Sequence, residues 1–425
     1  MNSERLLERF LRYVRIDTTA GAAGGTYPSS AGQWELGKLL VYELTEAGLV
    51  DVRQDSWGLV WGTLPATSRA ATPTIAFNAH LDTSPETTGA GVQPQVIRDY
   101  RGGDIRLSGD PRQVIRVADN PELAGLIGKT LVTTDGTTLL GADDKSGLAV
   151  IVEALAFLHE HPEIEHGPIR VLFTCDEEIG HGIDHVDVAE LGAVVCYTLD
   201  GAGAGQIDVE TFSADLATVT VRGVNIHPSV AKGRMVNALR GLGDFLAALP
   251  RARMSPETTA AREGFIHPYF CEGGVAQASA KVLLRDFDEA QLQGQAQLLR
   301  DLAEQVVART PGLEVEVTVE PQYRNLSAGL AREPRAVALV ERAMARLNRP
   351  LEKTIIRGGT DGSLLTAKGV PTPNLSTGEH NPHSPLEWTC LEEMVAAAEL
   401  IVELARVWGL ERDPTAASGT IGTNG

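Results

Sequence analysis

Histidines and carboxylates recur where short apolar segments of the chain end. The segments are His80-Leu81-Asp82, Gly141-Ala-Asp-Asp-Lys-Ser-Gly147, Asp176-Glu177-Glu178, Asp200-Gly201 and the loop around His383. Imidazole nitrogens and carboxylate oxygens are ligands that divalent metal ions accept. Taken alone, each segment also has an ordinary interpretation: a capped turn, an acidic helix start, a solvated acidic loop, an Asp-Gly turn and a surface histidine.

As a set, these residues predict a two-metal centre. Two histidines with three or four carboxylates suit a pair of zinc ions about 3.5–4 Å apart. A carboxylate within 141–147 could bridge the ions, because it has two oxygens with free lone pairs. Neighbouring carboxylates in 176–178 should point to different sides, so that one can ligate a metal while another acts as a base. The predicted chemistry is attack of an acidified water on a carbonyl carbon, with a proton passed to a leaving amine.

Short buried strands are the elements that must position these residues. The apolar runs Thr74–Ala79, Ile169–Thr174 and Ala193–Leu199 each lead directly into one of the acidic segments. Helical patterns at Ala31–Gly48 and Leu148–His159 alternate with them. This alternation predicts an α/β fold with an open, mostly parallel sheet, whose site lies beyond the carboxyl ends of the strands.

A second pattern follows the first and indicates an inserted domain. Strand and helix signals between residues 212 and 324 follow the order β-α-β-β-α-β, which predicts a ferredoxin-like α+β unit with one face covered by helices. We therefore expect a catalytic domain over 1–211 and 325–412 and an inserted lid over 212–324. The small polar residues of 413–425 predict a disordered tail.

Composition narrows the classes of protein that fit. The chain has 425 residues, 43% of them apolar, and a net charge of −19, which disfavours binding to nucleic acid. No apolar run reaches the roughly 18 residues that a membrane helix needs. Glu4 and Glu8 in an amphipathic first helix argue against a targeting peptide. Four scattered cysteines suggest neither a disulfide framework nor a thiolate zinc site, so we expect a cytoplasmic protein.

The sequence resembles the peptidase T family, aminotripeptidases within the co-catalytic zinc peptidases and deacylases that carry an inserted dimerisation lid. The resemblance rests on His80-Leu-Asp-Thr83, Thr133-Thr-Asp-Gly-Thr-Thr-Leu-Leu-Gly-Ala-Asp-Asp-Lys145, Phe173-Thr-Cys-Asp-Glu-Glu178, Tyr197-Thr-Leu-Asp-Gly201, Asn225-Ile-His-Pro228, Ala231-Lys-Gly233, Arg285-Asp-Phe-Asp288 and Arg357-Gly-Gly-Thr-Asp-Gly362. These stretches span nearly the whole chain except its tail.

The resemblance implies a role for each site residue. The first zinc would be held by His80, Asp143 and Asp200, and the second by Asp143, Glu178 and His383, with Asp143 bridging. Glu177 would be the general base, and Asp82 would orient His80. His227 would stabilise the oxyanion, from its own chain or across a dimer. Arg285 and Arg357 would bind the peptide carboxylate; ordinary ion pairs for the arginines and a surface position for the histidine are the alternatives.

The resemblance also implies a cis peptide bond between Asp143 and Asp144. One departure from the family lies before His383, where Gly378-Glu-His-Asn381 replaces the usual Gly-Gly-aromatic-Asn. His380 is therefore an additional candidate residue. A second departure is Cys175, which stands where the family often has proline.

Three functions remain open at this point. The first is a zinc-dependent aminopeptidase that acts on tripeptides, with manganese or cobalt as other metals that suit the ligands. The second is a dipeptidase, carboxypeptidase or N-acyl amino acid deacylase on the same scaffold. The third is a peptide-binding scaffold without catalysis. The expected partners are short peptides and a second copy of the chain, paired through an edge strand of the lid.

Overall fold

The computed structural model describes residues 1–21 and 25–412 of the chain. These residues form two compact units. The first unit comprises the described residues of Met1–Val209, Ala328–Thr354 and 360–412. Whereas the lid was expected over 212–324, the second unit is Glu210–Ser327 and also takes in Ile355–Gly359. The tail expected to be disordered, 413–425, lies outside the described residues.

The first unit is built around a large mixed sheet. Its helices are α1 (Ser3–Tyr13), α2 (Ala31–Glu46), α3 (Ala142–Glu160), α4 (Val188–Leu191), α7 (Ser327–Arg332), α8 (Arg335–Arg346), α9 (Asp361–Ala367) and α10 (Leu391–Trp408). Its strands are β1 (Val50–Gln54), β2 (Val60–Leu64), β3 (Ile75–His80), β4 (Gln95–Ile97), β5 (Ile105–Arg106), β6 (Val114–Ile115), β7 (Leu131–Thr133), β8 (Ile169–Thr174), β9 (Val195–Ala202), β10 (Gln206–Thr211), β15 (Glu352–Ile356), β16 (Asn374–His380) and β17 (Trp388–Cys390).

The sheet has the order β1-β2-β8-β3-β9-β16-β17-β7-β4; β10 also pairs with β16, and β15 pairs with β10. Its four central strands, β8, β3, β9 and β16, run parallel, and antiparallel pairs flank them. The predicted α/β class with a parallel centre is therefore confirmed. Because parallel strands end at the same edge, the residues that follow β3, β8 and β9 come together there.

Two elements differ from the sequence-based expectation. The sequence from Val52 to Trp61 is strand-like throughout, but a turn separates β1 from β2. Asp55 forms this turn, because its carboxylate accepts the N–H groups of Trp57 and Leu59 and the indole N–H of Trp61. Helix α3 was predicted from Leu148, but it extends back to Ala142, with a kink at Asp143 and Asp144, whose φ and ψ are not helical.

Helix α3 carries much of the apolar core of the first unit. Fifteen of its residues are buried, from Ala142 to Leu158. It packs on α10, α1, β3 and β9. A helix that is apolar on nearly all sides is typical of a position inside the fold rather than on its surface.

The second unit has the predicted ferredoxin-like order. It contains β11 (Ser213–Arg222), α5 (Ala238–Ala248), β12 (Phe265–Gly273), β13 (Gln277–Asp286), α6 (Glu289–Arg309) and β14 (Glu314–Tyr323). The strands form an antiparallel sheet in the order β12-β13-β11-β14. Both helices pack on this sheet, around buried residues such as Phe245, Val282 and Leu299. Among the helices of the described chain, none is both long and apolar enough to span a membrane.

Candidate metal centre

The residues predicted as metal ligands lie at the carboxyl edge of the central strands and on the segments beside it. His80 is the last residue of β3, Asp200 lies in β9, and Glu178 lies in a short 3₁₀ helix, Glu177–Ile179, after β8. Asp143 lies in the first turn of α3, and His383 lies between β16 and β17. Residues far apart in sequence therefore meet because the parallel strands end together.

The first ligand group consists of His80, Asp143 and Asp200. The Nε2 atom of His80 is 2.9 Å from Oδ1 of Asp143 and 3.6 Å from Oδ1 of Asp200. One ligand atom from each of the three residues lies within 4.8 Å of the others. This spacing suits one cation held by an imidazole and two carboxylates.

The second group consists of Asp143, Glu178 and His383. The Nε2 atom of His383 is 3.2 Å from Oδ2 of Asp143 and 3.0 Å from Oε2 of Glu178. Asp143 thus presents one oxygen to each group. Its peptide bond to Asp144 is cis, as predicted from the resemblance.

The donor set fits two divalent cations. Within the described chain, Oε1 of Glu178 is buried and has no hydrogen-bond partner, which is costly for a carboxylate oxygen unless a cation contacts it. Burial raises the pKa of Glu178 to about 7 and that of Asp200 to about 6. Hydrogen bonds to Asp143 and Glu178 raise the pKa of His383 to about 11. Closely spaced buried carboxylates of this kind are stabilised by nearby positive charge, which bound cations would supply.

Asp82 connects His80 of the first ligand group with Glu177 and with Glu178 of the second. Its Oδ1 accepts the N–H of Glu177 at 3.0 Å, and its Oδ2 accepts the N–H of Glu178 at 3.1 Å. Its Oδ1 is also 3.4 Å from Nδ1 of His80, and its main-chain oxygen is 3.1 Å from that nitrogen. A proton on Nδ1 satisfies these acceptors and leaves Nε2 of His80 to bind a metal.

Glu177 lies beside the ligands without belonging to either group. Burial raises the pKa of its carboxyl group well above the ordinary value. A carboxyl group with a raised pKa next to two ligand groups can accept a proton and donate it again.

Two buried aspartates support the site through contacts that the sequence did not indicate. Asp176 is buried, and its carboxylate accepts bonds from Ser29 and Gln33. Asp361 is 2% exposed and accepts the hydroxyl of Thr174, which ends β8. For both, the bonded partner is more than 100 positions away, so spacing along the chain gives no signal.

Two further carboxylates were missed in the sequence analysis. One carboxylate oxygen of Glu379 lies within 4.8 Å of oxygens of Asp144 and Asp200, and Glu387 accepts main-chain N–H groups, including that of Asp143. Glu379 is one of the residues that depart from the family pattern before His383. The only sequence signal for Glu387 was its position four residues after His383.

His380, the additional candidate, takes part in other contacts. Its ring stacks on Trp388 with the centroids 3.7 Å apart, and its Nε2 is 2.8 Å from Oε2 of Glu393. It belongs to neither ligand group of the described residues. These contacts indicate a packing role.

The three predicted substrate-binding residues lie in the second unit. His227 is exposed, and its Nδ1 is 2.7 Å from the hydroxyl of Ser229. Arg285 donates to the main-chain oxygens of Asp215 and Leu284 and lies over the ring of Tyr323. Their proposed roles stay predictions.

Arg357 is the most engaged of the three. Its Nη1 donates to the main-chain oxygens of Ala261 and Glu263, and its Nη2 donates to the hydroxyl of Thr259. The guanidinium group also lies over the rings of Phe212 and Phe265. Binding of a peptide carboxylate would require Arg357 to share or exchange these partners.

Comparison with known proteins identifies the family of this chain. The model of peptidase family M20/M25/M40 matches residues 134–407. Peptidase T of Geobacillus thermodenitrificans is 42% identical over 405 residues, covering 95% of this chain and 98% of that protein. The same identity and coverage hold for peptidase T of Listeria monocytogenes serotype 4a.

Two solved structures have the same fold over nearly their whole length. The crystal structure of aminopeptidase PepT from Bacillus cereus is 26% identical, with a TM-score of 0.75 and coverage of 97% of this chain and 100% of that one. A tripeptidase from Staphylococcus aureus is 23% identical, with a TM-score of 0.76 and the same coverage. The chain belongs to peptidase family M20/M25/M40 and, within it, to the peptidase T family.

Proposed function

We propose that the protein is a zinc-dependent aminopeptidase that removes the N-terminal residue from tripeptides. The observation that carries the proposal is the carboxylate of Asp143, which faces His80 with one oxygen and His383 with the other. The names of its relatives, peptidase T and tripeptidase, support the substrate class.

The metal ions would be held by the two ligand groups around Asp143. When bound, they would acidify a water molecule and stabilise negative charge on the substrate carbonyl oxygen. Zinc, manganese and cobalt all suit these ligands, and we propose zinc because two histidines complete the set.

Glu177 would move the proton. Its carboxylate takes a proton from the attacking water and passes it to the nitrogen of the leaving amine. Asp82 fixes the main chain of Glu177 and Glu178, so the base and a ligand keep a constant separation. As the family resemblance implies, His227 would bind the oxyanion, and Arg285 and Arg357 would bind the peptide carboxylate.

A second copy of the chain and a cytoplasmic location are also part of the proposal. The edge strand β12 exposes Tyr269 and Phe270 at 48% and 46%, which suits pairing with the same strand of a partner. All four cysteines are free, which is usual in a reducing compartment.

The substrate class is tested by release of the N-terminal residue from a free tripeptide. The controls are a matched dipeptide, a tetrapeptide and an N-acetylated tripeptide, each with wild type and Glu177→Ala after chelation and return of zinc. We expect zinc to restore cleavage of the free tripeptide alone. The rate of this cleavage should be lower by roughly 10²–10³-fold in Glu177→Ala. Preferred cleavage of the acetylated peptide or the dipeptide would instead indicate a deacylase or dipeptidase.

A further inference from the structure

Glu387 is a buried carboxylate that belongs to neither ligand group. It is 1% exposed, and both of its oxygens accept main-chain N–H groups. Oε2 accepts from Leu140 at 2.7 Å and from Gly141 at 2.8 Å, and Oε1 accepts from Asp143 at 3.1 Å. A carboxylate with three such partners fixes the path of the chain that it binds.

These N–H groups lie at the entry to helix α3: Leu140 precedes its N-cap residue, and Asp143 lies in its first turn with φ and ψ that are not helical. The N-cap residue of α3 is Gly141, which has no side chain with which to cap the helix, and its φ of 80° favours glycine at this position. The first N–H groups of a helix lack partners within the helix and need acceptors when they are buried. Glu387 supplies those acceptors from a segment 244 positions away.

The same segment also carries a ligand of the second group. Glu387 donates its own N–H to the main-chain oxygen of Ser384, the residue after His383. The turn therefore sets Glu387 and His383 at a fixed separation. Because Glu387 holds the chain at Asp143, it also determines how Oδ2 of Asp143 faces Nε2 of His383.

We propose that Glu387 is a positioning residue of the metal centre, which holds the main chain at the entry to helix α3 and thereby orients the carboxylate of Asp143 between His80 and His383. The inference rests on the proposed metal centre and adds a residue to it. Partners of this kind around metal ligands typically change metal affinity by about 10–100-fold when they are removed.

The test is a zinc titration of chelated protein by calorimetry, without substrate. In Glu387→Gln the amide NH₂ replaces one acceptor oxygen and faces an N–H group, so we expect the zinc dissociation constants to rise by about 10–100-fold. Cobalt added in place of zinc should also give a changed visible spectrum, since Asp143 belongs to both ligand groups. At saturating zinc, KM for the tripeptide should stay near the wild-type value.

Glu392→Gln is the matched control. The carboxylate of Glu392 likewise accepts a main-chain N–H, that of Thr130 at 2.9 Å, but it caps no segment that carries a ligand. We expect wild-type zinc affinity and cobalt spectrum for this variant. If both variants lost affinity equally, the effect would be a general one and the proposal would be wrong.

Glu387→Asp keeps the charge and serves if the glutamine variant does not fold. Its shorter side chain cannot hold all three N–H groups, so a weaker loss of zinc affinity is expected. A folded variant at position 387 that binds two zinc ions with wild-type affinity and an unchanged cobalt spectrum would overturn the inference. Failure of the wild type to bind zinc would instead overturn the proposed function.

Discussion

Each histidine of the site has its two ring nitrogens assigned to different partners. His80 turns Nε2 toward Asp143 and Nδ1 toward Asp82, and His383 turns Nε2 toward Asp143 and Nδ1 toward Glu86 at 3.4 Å. A carboxylate on the far nitrogen fixes the tautomer and strengthens the ligand. Asp82 does more than this, because it also binds the two glutamates that follow β8.

Replacement of Asp82 by alanine should therefore affect several groups at once. We expect kcat to fall by roughly 10–100-fold and zinc affinity to weaken, because His80 loses its partner and two N–H groups lose their acceptor. Steady-state kinetics at saturating zinc together with a zinc titration would check this. Wild-type kcat and affinity in a folded Asp82→Ala protein would contradict the assigned role.

His166 gives a pH-dependent prediction away from the metal centre. It is 1% exposed, and burial lowers its pKa below the ordinary value of 6.5. When the pH falls through about 6.5, His166 therefore takes up a proton in the unfolded chain but not in the folded chain. The free energy of unfolding consequently decreases as the pH falls below that value. In metal-free protein, His166→Asn should lose less unfolding free energy than wild type between about pH 7 and about pH 5. Equal losses, measured by chemical denaturation, would refute this.

The sequence was sufficient to predict that the residues at the ends of buried strands come together. It was not sufficient for residues whose positions depend on hydrogen bonds to distant segments of the chain. His80, Asp200 and the glutamates after β8 were predictable because each directly follows a buried run. Glu387 and Asp361 were not, because hydrogen bonds to segments 187 or more positions away define their place. The engagement of Arg357 by main-chain oxygens of 259–263 also depends on tertiary structure.

At the level of elements, the contact of α3 with β9 brings Asp143 to Asp200. Gly147 makes the close approach possible: a Cβ there would lie 2.1 Å from the main-chain oxygen of Leu199 and 2.3 Å from Oδ1 of Asp144. The alternation of strands and helices predicted both elements, but the first turn of α3 was missed because its two aspartates are not helical in φ and ψ.

Gly147→Ala should consequently push α3 away from β9. We expect a loss of about 1–3 kcal/mol in stability, as for other overpacked cores, with weaker zinc binding. Gly294→Ala is the matched control, since that glycine lies in α6 with nothing within 4 Å of its Cβ position. There alanine should stabilise by about 0.5–1 kcal/mol. Thermal unfolding of both variants checks the pair; a stabilised Gly147→Ala would contradict the packing.

At the level of the whole molecule, the second unit offers two sheet edges. Strand β14 exposes the acidic residues Glu314, Glu316 and Glu320, whose charges would repel those of an identical strand. Strand β12 exposes two aromatic rings instead. We therefore assign the proposed dimer contact to β12.

Phe270→Glu should abolish this dimer. We expect sedimentation velocity to give twice the chain mass for wild type and one chain mass for the variant, because a charge would be buried in the interface. Glu316→Gln on the other edge should leave the mass unchanged. A monomeric wild type, or a dimeric Phe270→Glu, would contradict the assignment.

The bridging position of Asp143 between the two ligand groups is tested most directly by counting the zinc ions that the protein retains after dialysis. Wild type should retain two ions per chain and Glu178→Ala one, because Glu178 serves only the second group. Asp143→Ala should retain none, since both groups lose a ligand. A wild type with a single ion, or an Asp143→Ala protein that keeps two, would contradict the account.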